Sequence, residues 1–357
     1  MSASVVVGVD GSSSSLEAVD VAAREARLRG TSLRVVYAFV WPMLKVPLGP
    51  SVMGSPEGGL RNLADKTAQD AVARARKAQP EVGVTYSVVP GAPVSVLTEE
   101  SQDACLVVVG TRGLGGFTGL LVGSVGVHLA AHAACPVLVA RGRKSPTGPV
   151  VLGVDGSEAG DEAVGWAFAE AARRETELVA LHSWDNWTGL PVAVGPGVQV
   201  PSVYDPVKLR DEQERVLSLA LSGWREKYPE VTVTSRLVQD YSRQALIEAS
   251  EESQLIVVGA RGRGGFMGLL LGSVSQAVLH HAHCPVAVVR VHREHGHGEG
   301  RGQGEGSGRS HGHEGGRGHE EERHRRGPWH GGGEGRRGRG VWEGRGGSGE
   351  GGDNEEG

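Results

Sequence analysis

At 357 residues the chain is long enough for two domains of ordinary size. Its 39% hydrophobic residues are concentrated before residue 292, because the last 66 residues hold 25 of the 57 glycines and almost no aliphatic side chains. A formal charge of -5 supplies no basic field for nucleic acid or an anionic membrane surface, every apolar run stops short of the ~20 residues of a membrane span, and no basic segment precedes the apolar run in Met1–Asp10, so a cytoplasmic chain without a signal peptide is expected.

Val5–Val9 is a continuous β-branched run, the mark of a strand buried on both faces. Ser12–Ser15 then offers N-cap oxygens, and Leu16, Val19, Ala23 and Ala26 recur at helical spacing until Gly30 stops the helix. Leu33–Val40 reads as a second strand. A Pro/Gly-rich loop over Trp41–Gly59 leads to a helix at about Leu60–Gln79, followed by a third strand at Val84–Val89. A short helix from Val94, a strand at Leu106–Val109, a helix from near Ser124 and a fifth strand at Pro136–Ala140 complete the series.

The series then begins again. Val5-Val6-Val7-Gly8-Val9-Asp10-Gly11-Ser12 returns 145 residues later as Val150-Val151-Leu152-Gly153-Val154-Asp155-Gly156-Ser157. Leu106–Val125 returns as Leu255–Val274 with 15 of 20 positions identical, and both copies end in Cys-Pro-Val, at Cys135 and Cys284. Such self-similarity marks a duplicated domain. Short apolar strands separated by helices require βαβ crossovers and hence a parallel sheet.

The expected fold is therefore α/β: two tandem doubly wound domains, each a five-stranded parallel sheet in the order 3-2-1-4-5 with helices on both faces. The expected boundaries are 1–141 and 150–291, joined by a hydrophilic linker at 142–149. The tail, 292–357, mixes Gly, Arg, Glu and His and cannot bury enough apolar surface to offset its chain entropy, so disorder is expected there. Cys105, Cys135 and Cys284 show no CxxC spacing and read as buried small residues in a reducing compartment.

The chemistry-bearing signal follows the fourth strand of each copy. Gly110-Thr111-Arg112-Gly113 is followed by nine residues and Gly123-Ser124; Gly259-Ala260-Arg261-Gly262 is followed by nine residues and Gly272-Ser273. Glycines permit positive φ and close approach of a ligand to the backbone. The amides of such a turn, together with a helix N-terminus beginning at Ser124 or Ser273, suit an anion such as phosphate. In the order 3-2-1-4-5, strands one and four flank the switch point, where doubly wound sheets bind ligands. Asp10 and Gly110, and likewise Asp155 and Gly259, should face each other across one crevice.

In these motifs both copies, essentially residues 1–291, resemble the universal stress proteins: Gly-Val-Asp-Gly-Ser after strand one, G-x2-G-x9-G-S after strand four, and the closing Cys-Pro-Val strand. The resemblance implies a bound adenine nucleotide, ATP, with Mg2+ held through its phosphates. The glycine element would take ribose and phosphates, and the strand-one aspartate would lie at the adenosine end. Carried over, the first site comprises Gly8, Asp10, Gly110, Thr111, Arg112, Gly113, Gly123, Ser124 and Val125, with an adenine contact near Ala38. The second comprises Gly153, Asp155, Gly259, Ala260, Arg261, Gly262, Gly272, Ser273 and Val274, with Ser183 in the place of Ala38. The resemblance further implies pairing of the two copies through their fifth strands, a homodimer being the other arrangement, and an as yet unknown protein partner.

Each signal has a plainer reading. A Gly-rich turn serves as a turn, Ser124 as an N-cap, and Asp10 and Asp155 as turn formers bonded to the next amides. Arg112 and Arg261 divide between surface residues and phosphate contacts. The tail holds eight of the fourteen histidines but no cysteine partners or ligand spacing, which favours a solvated segment over a metal site. No G-x4-G-K-[ST] exists, the strand-one turns are not G-x-G-x-x-G, and no catalytic base accompanies the glycine element. A binding protein with little or no turnover is thus expected. The rivals are a slow ATPase or adenylyl-transferring enzyme at the same crevice, and a nucleotide-independent scaffold that works through strand pairing.

Overall fold

The protein is described here by a computed structural model that places residues 3–40, 56–113, 122–142, 147–184, 206–263 and 270–290. Most of the expected Trp41–Gly59 loop, the middle of each glycine element and the whole 292–357 tail lie outside these described residues.

In the first copy, strands β1 (Ser4–Val9), β2 (Leu33–Phe39), β3 (Val84–Pro90), β4 (Ala104–Gly110) and β5 (Val137–Ala140) alternate with helices α1 (Ser13–Arg29), α2 (Pro56–Ala78), α3 (Pro93–Glu100) and α4 (Ser124–His132). The second copy repeats the series with β6 (Val150–Gly153), α5 (Asp161–Arg173), β7 (Leu178–Trp184), α6 (Pro206–Lys227), β8 (Val233–Gln239), α7 (Ser242–Ala249), β9 (Leu255–Gly259), α8 (Ser273–His281) and β10 (Val286–Val289). A 3-10 turn at Glu158–Gly160 precedes α5.

Local chemistry accounts for the element ends. Ser12 sits in extended conformation and its side chain accepts from the amide of Ser15, capping α1; Gly30, at φ 61°, closes the helix in the left-handed region that a glycine enters without strain. Pro56 opens α2, four residues before the expected Leu60, since a proline at the first helical position gives up only an amide that has no partner there. The central strands β1 and β4 are almost wholly apolar and mostly buried, whereas β3 and β8 carry exposed residues because each is an outer edge.

The strand order is β3-β2-β1-β4-β5-β10-β9-β6-β7-β8. Each copy therefore has the expected order 3-2-1-4-5, and every pairing within a copy is parallel. The two five-stranded sheets join at β5 and β10, which pair antiparallel with Val286 opposite Val139 and Val288 opposite Val137. One sheet of ten strands results. Helices α1, α2, α5 and α6 pack on one face of it and α3, α4, α7 and α8 on the other, each with its own apolar core. Cys284 is buried, and Cys105 and Cys135 are partly buried, as free thiols. Burial pushes the Cys135 thiol up to about 12, which leaves it protonated and inert.

A buried charge cluster ties α1 to α5. Arg29 Nη2 lies 2.6 Å from Glu170 Oε1, and Arg174 Nη2 lies 2.6 Å from Glu25 Oε1. Within the helices, Arg29 pairs with Glu25, and Arg174 with Glu170 at 3.0 Å. All four side chains are at most 7% exposed. Burial pushes the Glu25 carboxyl up, but the charges and hydrogen bonds of Arg174 and Arg29 outweigh it and hold the group below its usual range. Glu25 and Arg29 repeat at the 145-residue offset as Glu170 and Arg174, so the cluster is reciprocal between the copies.

Candidate functional site

The crevice forms where β1 and β4 diverge. At the end of β1, Gly8 lies against α3: a Cβ there would come within 2.6 Å of Leu97 Cδ1, so the Leu97 side chain occupies the space that the glycine leaves. Asp10 Oδ1 accepts from the amide of Ser12 at 3.0 Å, which fixes the turn into α1. The start of α1 then grips the turn after β4. Ser14 Oγ lies 3.1 Å from Thr111 Oγ1 and accepts from the amide of Arg112 at 3.2 Å, while Ser12 Oγ donates to the Arg112 carbonyl at 3.2 Å.

The glycines of the element serve close approach rather than unusual φ. Gly110, Gly113 and Gly123 are absent from the described positive-φ glycines, a correction to the expectation of left-handed turns; Gly123 has φ -70°. A Cβ on Gly110 would meet Ser14 Oγ at 2.5 Å and the Ser14 carbonyl oxygen at 2.6 Å. A Cβ on Gly113 would meet Asp10 Oδ2 at 2.4 Å. The aspartate and the glycine turn thus face each other in contact across the crevice. The two ends of the element are joined directly, since the amide of Gly123 donates to the Thr111 carbonyl at 2.6 Å. Gly123 therefore spends its amide on the loop. Gly123 also offers no side-chain cap to α4, so the first-turn amides at Ser124, Val125 and Gly126, which have no carbonyl a turn behind them in the helix, are the donors the site presents.

These elements enclose a cavity of about 520 Å³, within the range of ~300–1,000 Å³ typical of small-molecule sites. All ten residues expected for the first site line it: Gly8, Asp10, Ala38, Gly110, Thr111, Arg112, Gly113, Gly123, Ser124 and Val125. Its floor is apolar, from Val9, Val36, Leu97 and Val109, with Pro93, Ser15 and Gly126 completing the wall. Sequence reasoning missed those seven, and it missed the part played by Ser14. The run of four serines at 12–15 was the available signal, but it gives no hint of partners about a hundred residues away.

The second copy repeats the framework with different side chains around it. A Cβ on Gly262 would meet Asp155 Oδ2 at 2.4 Å, and the amide of Gly272 donates to the Ala260 carbonyl at 2.8 Å, matching the first copy. Asp155 Oδ1 accepts from the amide and the hydroxyl of Ser157 at 3.0 and 2.8 Å, and its Oδ2 accepts from the amide of Arg263 at 2.9 Å. Ser183 Oγ donates to Ser242 Oγ at 2.6 Å, and Ser275 Oγ donates to the Gly259 carbonyl at 2.7 Å. A cavity of about 370 Å³ adjoins Asp155, but it opens on the α5–α6 side of the sheet, among Val164, Val216, Leu219 and Arg263. Of the ten residues expected for the second site, Gly153 and Asp155 line it; Ser183, Gly259, Ala260, Arg261, Gly262, Gly272, Ser273 and Val274 do not.

Among the described residues, no group of three or more His, Cys, Asp or Glu side chains is arranged to hold a metal ion, and no helix is long and apolar enough to cross a membrane.

Comparison with known proteins matches this architecture. A profile of the universal stress protein family fits residues 1–141 and again 147–290. A universal stress protein of Mycobacterium tuberculosis strain H37Rv is 40% identical over 294 residues, covering 80% of this chain and 96% of that one. The crystal structure of a universal stress protein from Archaeoglobus fulgidus, 18% identical, superposes with a TM-score of 0.57 over 80% of this chain and 98% of that one. A universal stress protein crystallised in complex with cAMP is 32% identical, with a TM-score of 0.29 over 39% of this chain and 97% of that one.

Proposed function

The chain belongs to the universal stress protein family, and we propose that it is a nucleotide-dependent regulatory module of the stress response, which holds ATP in the crevice between β1 and β4. The observation that carries this reading is the 520 Å³ cavity whose lining includes every first-copy residue drawn from the motif. Its parts suit the parts of the ligand. The apolar floor at Val36 and Leu97, beside Ala38 at the end of β2, accepts a flat heterocycle. The first-turn amides of α4 and the positive end of that helix favour the phosphates. Mg2+ would be carried on the phosphate oxygens. The exposed Arg112 stands at the rim, where its charge complements the nucleotide.

ATP is held here rather than consumed. Asp10, the carboxylate nearest the glycine turn, is tied to the Ser12 amide and packed on Gly113, which suits a turn former better than a catalytic base. Because ATP binds the folded state, occupancy stabilises the chain by mass action and biases the surface offered to a protein partner. The functional units are two domains, 1–141 and 150–291, with 142–149 between them and the 292–357 tail beyond. They pair inside one chain through β5 and β10, so that the chain carries its own dimer-like arrangement.

The test is calorimetric titration of ATP with Mg2+ into the full-length chain and into Ala38→Trp, whose indole would fill the floor of the cavity. Binding to the wild type that Ala38→Trp abolishes supports the reading; equal binding by both contradicts it. ATP turnover by the wild type that disappears in Asp10→Ala would instead make the chain an enzyme.

A further inference from the structure

Away from the nucleotide crevice, α4 carries a pair of metal-ligating side chains that the proposed function does not use. His128 and His132 stand four residues apart in the helix, the spacing at which side chains on one face meet. Their rings lie 3.9 Å apart between centroids and 15° from parallel. His128 is exposed and His132 half-buried, so the pair opens on solvent. One of the two is already arranged as a ligand. His132 Nδ1 lies 2.9 Å from the His128 carbonyl oxygen, which can only accept, so Nδ1 carries the proton and Nε2 keeps its lone pair. A backbone carbonyl on one ring nitrogen is the usual support of a histidine that binds metal through the other. A tetrahedral ion at ~2.0–2.1 Å from each of two imidazole nitrogens holds those nitrogens ~3.3 Å apart. Rings 3.9 Å apart reach that separation by rotation about their side-chain bonds, with no movement of the helix. The second copy supplies a contrast: at the 149-residue offset Ala277 and His281 take the places of His128 and His132, so α8 has one imidazole where α4 has two.

We infer that His128 and His132 form a two-histidine chelate for a divalent transition-metal ion of the kind imidazole favours, Zn2+, Ni2+ or Cu2+. Two protein ligands make an open site, with the remaining positions of the ion taken by water, unlike the closed four-ligand sites that hold structural zinc. The bound ion is distinct from Mg2+ carried on nucleotide phosphates, since Mg2+ takes oxygen ligands. The chelate also stands independently of the nucleotide reading, because its ligands are side chains of the middle and last turns of α4 and not the amides of its first turn.

The experiment is a titration of Zn2+ into the nucleotide-free full-length chain, with diethylpyrocarbonate modification of each histidine read by peptide mass spectrometry. That readout separates His128 and His132 from each other and from the eight histidines of the tail, which a bulk titration would count together. The wild type, His128→Gln and His132→Gln are compared, with circular dichroism to check that each is folded. In the wild type Zn2+ should protect His128 and His132 together, at roughly a tenth of the concentration that protects His281, because the second imidazole binds intramolecularly. In His132→Gln the protection of His128 should need roughly 10-fold more Zn2+, for the same reason. Should His132→Gln fail to fold, His128→Gln read at His132 makes the same comparison. Protection of His128 at the same Zn2+ concentration with and without His132 would show two independent imidazoles and overturn the inference. So would a His128 that stays reactive at Zn2+ concentrations protecting His281.

Discussion

The two glycines that flank the turn after β4 do different things, and their substitutions separate structure from binding. Gly110 packs against the backbone of Ser14, whose carbonyl oxygen would lie 2.6 Å from an added Cβ and cannot rotate away. Gly110→Ala is therefore expected to destabilise the chain by about 1–3 kcal/mol, the range for overpacking a filled site; urea denaturation with an unchanged midpoint would refute it. Gly113 meets the Asp10 carboxylate instead, and it is exposed. Gly113→Ala should lower stability by only about 1 kcal/mol, the worth of one hydrogen bond, because Asp10 must turn out of its bond to Ser12, but should weaken ATP binding by roughly 10-fold, about 1.4 kcal/mol. The Gly/Asp/Ser pattern brought Asp10 to the glycine turn on spacing and strand order alone, but opposite Gly110, whereas the fold sets Asp10 against Gly113 and packs Gly110 on Ser14. The physical reason for the glycines was not legible. Positive φ was expected, whereas neighbouring atoms that only folding brings close are what exclude a side chain.

Among the elements, α1 carries more of the site than its sequence suggested. Its N-cap, Ser12, accepts from the amide of Ser15 at 3.2 Å and donates to the Arg112 carbonyl at 3.2 Å, so one hydroxyl both caps the helix and anchors the glycine turn. Ser12→Ala should cost about 1 kcal/mol of stability, the usual worth of such a cap, and should also lower affinity for ATP; a loss of stability with unchanged affinity would separate the two roles and count against the coupling. The order and type of the elements were readable because parallel strands, buried on both faces, leave continuous apolar runs such as Val5–Val9. Their ends were less so. β2 stops at Phe39 rather than Val40, and the 3-10 turn at Glu158–Gly160 in the second copy had no counterpart to announce it.

For the whole molecule, the decisive features lie between the copies. The β5–β10 junction turns two sheets into one, and the buried charge cluster beside it has no solvent to fall back on. Glu25→Ala should cost about 3–5 kcal/mol, because it strands arginine charge in the interior. Reversing all four charges, as Glu25→Arg/Arg29→Glu/Glu170→Arg/Arg174→Glu, restores the alternation and should recover part of that loss. The folded pKa of Glu25 lies below its ordinary value of 4.5. Its contribution is thus complete above pH 4.5 and is lost as the pH falls below that, through the folded pKa. Urea midpoints measured from neutral pH downward should converge for the wild type and Glu25→Gln only below 4.5; a constant gap would refute the assignment. The repeat of Glu25 and Arg29 as Glu170 and Arg174 was in the sequence all along, but helix periodicity marks such residues as surface, and only the docking of two helices buries them.

In the proposed function a nucleotide occupies the crevice between β1 and β4 of the first copy. A crystal structure of the full-length chain grown with ATP and Mg2+ tests it most directly. Density is expected for the base beside Val36 and Ala38, and for the phosphates against the amides of Ser124, Val125 and Gly126. Nucleotide density at the α5–α6 cavity instead, or a crevice that stays empty at saturating ATP, would contradict it.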